Sequence, residues 1–227
     1  MKLFAFDFDK TVTTSDTILP LCRFLSKRFN SSSSFFYIQL LFAGYRLKFI
    51  SSKKFKEMII KYLLENKSLA EVESAILEFY KSNYKELFNH LIVELILEQK
   101  KAGDRIIVVT SNLDLFVRPV KKLLPIDEVF GTKVRVSDAS VSGSIEGENC
   151  SGLVKAKVVK EFSEKFKFDK IVAYGDSSGD FDILKLADES YIAEYKFDSL
   201  RSKLHCRLKY LCGRICSDGF KVVFKKF

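Results

Sequence analysis

Two carboxylates, Asp7 and Asp9, close the apolar run Leu3-Phe4-Ala5-Phe6 within the segment FDFDKT at 6–11. A run that ends abruptly in acid reads as a buried parallel strand whose carboxyl end opens onto solvent, the edge at which open α/β sheets bind ligands. In an extended chain, residues two apart project from one face, so the two carboxylates lie side by side. Like charges this close repel, and the arrangement makes sense if a cation joins them or one carboxyl holds a proton. Either state suits chemistry. Taken alone, the segment also fits two solvated acids in a strand-to-loop turn.

Three further segments add complementary groups. Lys170 to Tyr174 is a second apolar strand, followed by the glycine-punctuated acidic loop Gly175-Asp176-Ser177-Ser178-Gly179-Asp180 and a helix from Phe181 to Ala187. Carboxylates clustered on loops suit a hard divalent cation, and Mg2+ in particular takes one or two of them with waters and substrate phosphate. An N-capping Asp explains Asp180 but not Asp176 at the strand tip as well. Arg105 to Thr110 is a third apolar strand, ending in Ser111-Asn112. There a hydroxyl with adjacent backbone N–H groups at a helix start can hold phosphate oxygens, although Ser111 also fits a plain helix cap.

Lys155 is singled out by periodicity. With residues 153–166 helical, Val158, Val159, Phe162 and Phe166 form one apolar stripe, with Lys155 in its middle and Lys157 on the opposite side. A lysine in a buried stripe needs an anionic partner, which a phosphate plus carboxylates would supply, unless it snorkels from the helix end.

In order, FDFDKT, VVTSN at 108–112, GLVK at 152–155 and GDSSGD at 175–180 resemble the haloacid dehalogenase (HAD) superfamily of phosphohydrolases. The resemblance is to its subfamily IB, the group containing phosphoserine phosphatases and phosphatidylglycerophosphatase C. It extends to about residue 193 and includes Val117 and Pro119, the Phe130-Gly131-Thr132 turn, and the run from Gly147 to Gly152 that leads to Lys155. It implies an α/β fold, a Rossmann-like HAD core with a parallel sheet and a helical C1-type cap. It further implies that Asp7 is the nucleophile and that Asp9 protonates the leaving oxygen and then activates water. Ser111 and Asn112 would bind phosphate, and Lys155 would balance charge on Asp7 and the phosphoryl group. Asp176 and Asp180 would hold Mg2+ with Asp7 and the backbone carbonyl of Asp9. Phosphoserine phosphatases carry a substrate-binding glutamate where this chain has Asp16, one methylene shorter. Asp16 reads equally as an N-cap before an apolar helix pattern.

The same pattern indicates the elements that must position these groups. At 227 residues the chain accommodates one well-buried α/β domain with a substantial insertion. The core comprises 1–16 and 89–227, and the insertion 17–88 reads as a cap of helices at 17–28, 35–49, 52–65 and 68–82. The run Asn30 to Ser34 is the clearest internal break. A helix is expected after Ser111 to about 124, then a β-hairpin through 133–147 with Ser and Gly turn signals. No internal repeat is evident.

The N-terminus enters a core strand at Leu3, leaving no room for a three-part leader, and five cysteines without regular pairing fit a reducing cytoplasm. His205, Cys206, Cys212 and Cys216 match no standard zinc spacing. Two features point toward surfaces. Phe35 to Tyr45 is polar-poor yet too short to span a bilayer, which needs about 20 residues; it suits the cap core, a greasy pocket or a membrane interface. Residues 196–227 carry nine Lys or Arg against Asp198 and Asp218, net +7 of the chain's +9. Leu200, Leu204, Leu208, Leu211 and Ile215 lend this tail a helical apolar stripe, suiting anionic lipid or ordinary packing on the domain. No recognised motif links the charge to nucleic acid. The reading is a Mg2+-dependent phosphomonoesterase acting through an aspartyl-phosphate on a small phosphorylated metabolite such as phosphoserine. The alternatives are a lipid-phosphate or phospholipid-headgroup phosphatase in peripheral contact with an anionic membrane, and a catalytically silent membrane-surface binding protein.

Overall fold

The computed structural model describes residues 1–29, 32–213, 215 and 220–227. Six strands form one sheet in the order β3-β2-β1-β6-β7-β8: β1 (Lys2–Phe6), β2 (Arg105–Leu113), β3 (Glu128–Thr132), β6 (Lys170–Gly175), β7 (Glu189–Phe197) and β8 (Phe220–Lys226). The first five are mutually parallel and β8 runs antiparallel to β7. Alternation along the strands sends side chains to two cores. Leu3, Ala5, Ile107, Val109 and Ala173 pack with Val159, Ile183 and Leu184 from helices α8 (Leu153–Phe166) and α9 (Phe181–Leu186). Phe4, Phe6, Ile106, Val108, Val172 and Tyr174 face the opposite side.

That opposite side is covered by the chain between β1 and β2. It contains α1 (Ile18–Arg28), α2 (Ser32–Arg46), α3 (Ser52–Ile59), α4 (Leu69–Ser82), α5 (Tyr84–Leu87) and α6 (His90–Lys101). Leu19, Phe42, Phe55, Ile59, Ile76 and Tyr80 pack in the same apolar cluster as Phe6 and Phe8. The expected helix at 52–65 continues beyond Ile59 as a wide turn through Ile60–Leu64. The break near Asn30 falls between α1 and α2, with residues 30 and 31 outside the described set.

Three expectations need correction. Strand β2 continues to Leu113, so Ser111 lies in a strand and not at a helix start; a bulge in its pairing with β3 accompanies the extension. After the strand come a short helix α7 (Asp114–Val117) and a tight turn, Arg118–Lys122, where Pro119 lacks the N–H that a longer helix needs. The expected hairpin is present as β4 (Val134–Ser137) and β5 (Ser140–Ile145), and its turn, Asp138-Ala139, both with positive φ, is closed by the serine pair Ser137 and Ser140. The tail is not one amphipathic helix. Lys196 belongs to β7, α10 (Leu200–Leu211) comes next, and β8 closes the sheet edge through a seven-residue pairing with β7.

Cys22, Cys150 and Cys212 are free, whereas Cys206 is disulfide-bonded. That removes Cys206 as a metal thiolate; pairing depends on proximity, which spacing does not reveal. Cys216 lies outside the described residues.

Candidate active site

Asp7 follows the last residue of β1, and its backbone N–H still donates to the Tyr174 carbonyl at 2.8 Å. The chain then makes a wide turn, Phe8–Val12, closed by the Thr13 N–H to the Phe8 carbonyl, with Lys10 in the left-handed region at φ 60°. This turn brings Asp9 over the carboxyl edge of the sheet.

The β6–α9 connection delivers the second acidic pair. Ser177 and Asp180 form a reciprocal capping box: Asp180 Oδ2 accepts from the Ser177 hydroxyl at 2.9 Å and the Ser177 N–H at 3.1 Å, and also from the Asp176 N–H at 3.2 Å. Gly175 is required here, because a Cβ would lie 2.5 Å from that of Asp180. Asp180 is therefore the cap its spacing suggested and, through its other oxygen, part of the site.

Lys155 joins the two ends. Its ammonium, 2% exposed, donates to Asp7 Oδ1 at 2.6 Å and to Asp180 Oδ1 at 2.5 Å. Lys157 points outward beside Glu161. Burial works against the Lys155 charge, but the two carboxylates outweigh it and hold the ammonium above its usual range. Asp7 is pushed up to about 6, mainly by burial, with Lys155 opposing. Asp176, 3.9 Å from Lys10, is raised to about 8 by burial and by Asp7.

Asp7, Asp176 and Asp180 each offer a carboxylate oxygen within 4.8 Å of the others. An all-oxygen donor set of this size fits Mg2+. The Asp9 side chain is not among these donors. Its Oδ1 accepts from the Thr17 N–H and hydroxyl, both at 2.7 Å, and its Oδ2 from the Asn112 amide at 2.8 Å. Burial, then Asp16, raises Asp9 to about 7 despite these donors.

Asn112, for which a phosphate contact was expected, meets the Asp9 turn in the structure. Its side chain is occupied by Asp9, by the Thr17 hydroxyl at 3.1 Å and by the Leu113 N–H at 2.8 Å, because β2 carries it toward the Asp9 turn and not into a helix. Ser111 is half-buried next to it, at the same edge of the sheet. Asp16 accepts from the Ile18 N–H at 3.3 Å, a weak cap for α1, and also lines a cavity with Lys10 and Asp176.

Sequence reasoning missed Lys56. It reaches from α3 into the core, 3% exposed, and donates to the Ser111 carbonyl, the Asn149 side chain and, at 3.3 Å, the Thr132 hydroxyl. Burial lowers its pKa to about 8. Its signal was the one that exposed Lys155, a lysine on the apolar face of a helix, here among Phe55, Ile59 and Ile60.

The cavity has a volume of about 750 Å3 and extends outward from Lys10, Asp16 and Asp176. Its walls come from α2 (Phe42, Ala43) and Leu47 just after it, the end of β7 (Tyr195, Phe197) and α10 (Tyr210, Leu211), with Arg46, Lys203 and Arg207 also lining it.

Residues 4–185 match the profile of the haloacid dehalogenase-like hydrolases. The chain is 31% identical over 191 residues to Protein CicA of Caulobacter vibrioides, covering 82% of this chain and 83% of that protein. It is 27% identical over 190 residues to the phosphoserine phosphatase of Methanocaldococcus jannaschii, covering 82% of each. A crystal structure of a protein of unknown function from Bordetella pertussis shares the fold, with a TM-score of 0.75 at 20% identity, covering 83% of this chain and 88% of that one. Profile, relatives and fold agree: the chain belongs to the haloacid dehalogenase-like hydrolases, with its likeness running to the phosphatases among them.

Proposed function

We propose that the protein is a Mg2+-dependent phosphomonoesterase that works through an aspartyl-phosphate on Asp7. The observation that carries this reading is the buried bridge from Lys155 to Asp7 and Asp180, with Asp176 beside it. An Asp7 oxygen attacks phosphorus while the bond to the ester oxygen breaks. Asp9, held protonated below about 7 by burial, gives its proton to that departing oxygen. The three donors from Thr17 and Asn112 then stabilise the Asp9 carboxylate and aim it. In the second step Asp9 takes a proton from water, whose oxygen displaces Asp7 from phosphorus and releases phosphate. Lys155 and Ser111 face the transferring oxygens, and Lys155 offsets their charge. Asp7 and Asp176 would hold Mg2+ directly, with the Asp9 carbonyl; Asp180, whose oxygens already serve Lys155 and Ser177, contributes chiefly by fixing the others. Bound there, Mg2+ would neutralise charge developing on the phosphoryl group.

Splitting one displacement into two lowers each barrier, and residues 17–88 act as a cap that excludes water. The substrate is a small phosphorylated metabolite such as phosphoserine, in line with the named activity of the Methanocaldococcus relative. A second reading, a phosphomonoester with a large apolar body, is favoured by the volume and the Phe42, Leu47, Phe197 and Leu211 walls of the cavity.

Phosphate release from p-nitrophenyl phosphate tests the reaction. The intact chain should turn over with Mg2+ and stop with EDTA, and Asp7→Asn should be inactive while melting as the parent does. Turnover by Asp7→Asn at the parent rate would refute the covalent route. Comparing phosphoserine with lysophosphatidic acid then separates the two substrate readings.

A further inference from the structure

Two helices flank the cavity, and each carries an exposed apolar stripe alongside the face that lines it. On α2, Phe36 and Leu40 fall on one side of the helix at i and i+4, and Leu47 follows directly after its last residue; they are 65%, 56% and 66% exposed. On the adjoining flank, Gln39 donates to the Leu211 carbonyl at the end of α10, and Phe42 packs its ring edge-on to Tyr210 at 5.5 Å. On α10 the same arrangement recurs: Leu200, Leu204 and Leu211 share a side and are 73%, 50% and 47% exposed, while Lys203, Cys206 and Tyr210 turn toward the cavity. Leu47 and Leu211 belong to both sets, lining the cavity and standing exposed at its rim.

Isolated exposed leucines mean little, but two apolar stripes on paired helices around one opening are a surface built for contact. The charge beside them selects the partner. Arg46, Lys203 and Arg207 line the cavity between these stripes, and Lys48 and Arg201 adjoin them in sequence. No helix among the described residues is long and apolar enough to cross a bilayer. Exposed apolar side chains beside lysine and arginine match the interface of an anionic bilayer, where leucine and phenylalanine enter the acyl boundary and the cations meet headgroup phosphates.

We infer that α2 and α10 form an anionic-lipid docking surface that seats the mouth of the cavity against a membrane. The cavity's catalytic end rests on the phosphomonoesterase reading, but docking does not require turnover, so the two can fail separately.

Vesicle binding by the full chain decides it. The protein has no tryptophan, so Leu40→Trp and, separately, Leu204→Trp each install a single reporter on one of the stripes. Vesicles of phosphatidylcholine with phosphatidylglycerol should bind the chain and shift both indole emissions to the blue, whereas phosphatidylcholine alone should not. Lys203→Glu with Arg207→Glu should weaken binding by at least about tenfold, and added salt should weaken that of the parent chain. Failure to bind anionic vesicles at low salt would overturn the inference. So would binding without a blue shift from either reporter, or a homodimer in sedimentation that Leu40→Glu dissociates, since a second copy would then be the occupant of the stripes.

Discussion

Lys155 and Lys157 lie two positions apart on α8, yet one is 2% exposed between two carboxylates and the other stands beside Glu161 in solvent. Breaking a buried ion pair strands the remaining charge at a cost of about 3–5 kcal/mol. Lys155→Met should therefore lower the melting temperature and depress turnover by orders of magnitude, while Lys157→Met should stay within about 0.5 kcal/mol of the parent. Thermal melts with single-turnover rates check both, and greater damage from Lys157→Met would contradict the geometry. Lys56 makes a different case, since the groups it donates to are neutral: the Ser111 carbonyl, Asn149 and Thr132. A buried ammonium without a contacting carboxylate is expensive, so Lys56→Met should melt no lower than the parent. It should nevertheless lose about ten- to a hundredfold in kcat, because Ser111 and the loop leading to Lys155 lose their common anchor. A drop in melting temperature with unchanged kcat would make Lys56 a purely structural residue.

At the scale of elements, the site depends on three strand ends and the turns that leave them. The turn after β6 is the most constrained: its capping box holds Asp180 Oδ2 while Lys155 holds Oδ1, and Gly175 leaves room for it. Gly175→Ala places a methyl carbon 2.5 Å from the Asp180 Cβ, so the turn must shift. The expected result is an about tenfold or larger rise in the Mg2+ concentration needed for half activity, because Asp176 and Asp180 move together, with a smaller effect on melting. Titrating Mg2+ against activity in both chains measures this; identical titrations would show that the turn absorbs the methyl. The hairpin turn at Asp138-Ala139 offers a contrasting case remote from the chemistry. Ala139 holds φ 58°, a conformation glycine adopts without penalty. Ala139→Gly should accordingly leave turnover unchanged and raise stability by about 0.5–1 kcal/mol, read as a higher melting temperature.

At the scale of the whole molecule, the tail belongs to the body of the protein. Strand β8 pairs with β7 from Tyr191 to Phe197, Phe224 packs edge-on to Tyr174 at 5.6 Å, and the Arg23 guanidinium donates to the Cys212 carbonyl at 2.6 Å. Deleting residues 199–227 would uncover the β7 edge, one wall of the cavity and the side of Phe42 that meets Tyr210. The truncated chain should melt several degrees lower, at about 2–4 °C for each kcal/mol lost, and should aggregate at concentrations where the parent does not. Unchanged melting and turnover after truncation would return the tail to the status of an appendage.

How much of this was legible in the sequence differs by residue for physical reasons. Asp7, Asp176, Asp180 and Lys155 announce themselves because local rules govern them: an apolar strand that ends in acid, a glycine-spaced turn, a lysine within a helical stripe. The same local rules bring out the α/β class and the helices after β1. Asn112 and Lys56 escaped those rules. The partner of Asn112 is Asp9, 103 positions away, and Lys56 meets Ser111, 55 positions away, so each role exists only once β1, β2 and α3 are brought together. The tail was misread because its leucine spacing fits a helix whether or not the flanking residues pair as strands; whether Lys196 and Phe220 lie in a sheet depends on β7 having an open edge to pair with. Sequence alone determined which chemical groups stand at the ends of which strands, since that is written in short-range periodicity. Only the tertiary structure decided which of them touch, how deeply each charge is buried and what walls the cavity, because those depend on contacts between segments far apart in the chain.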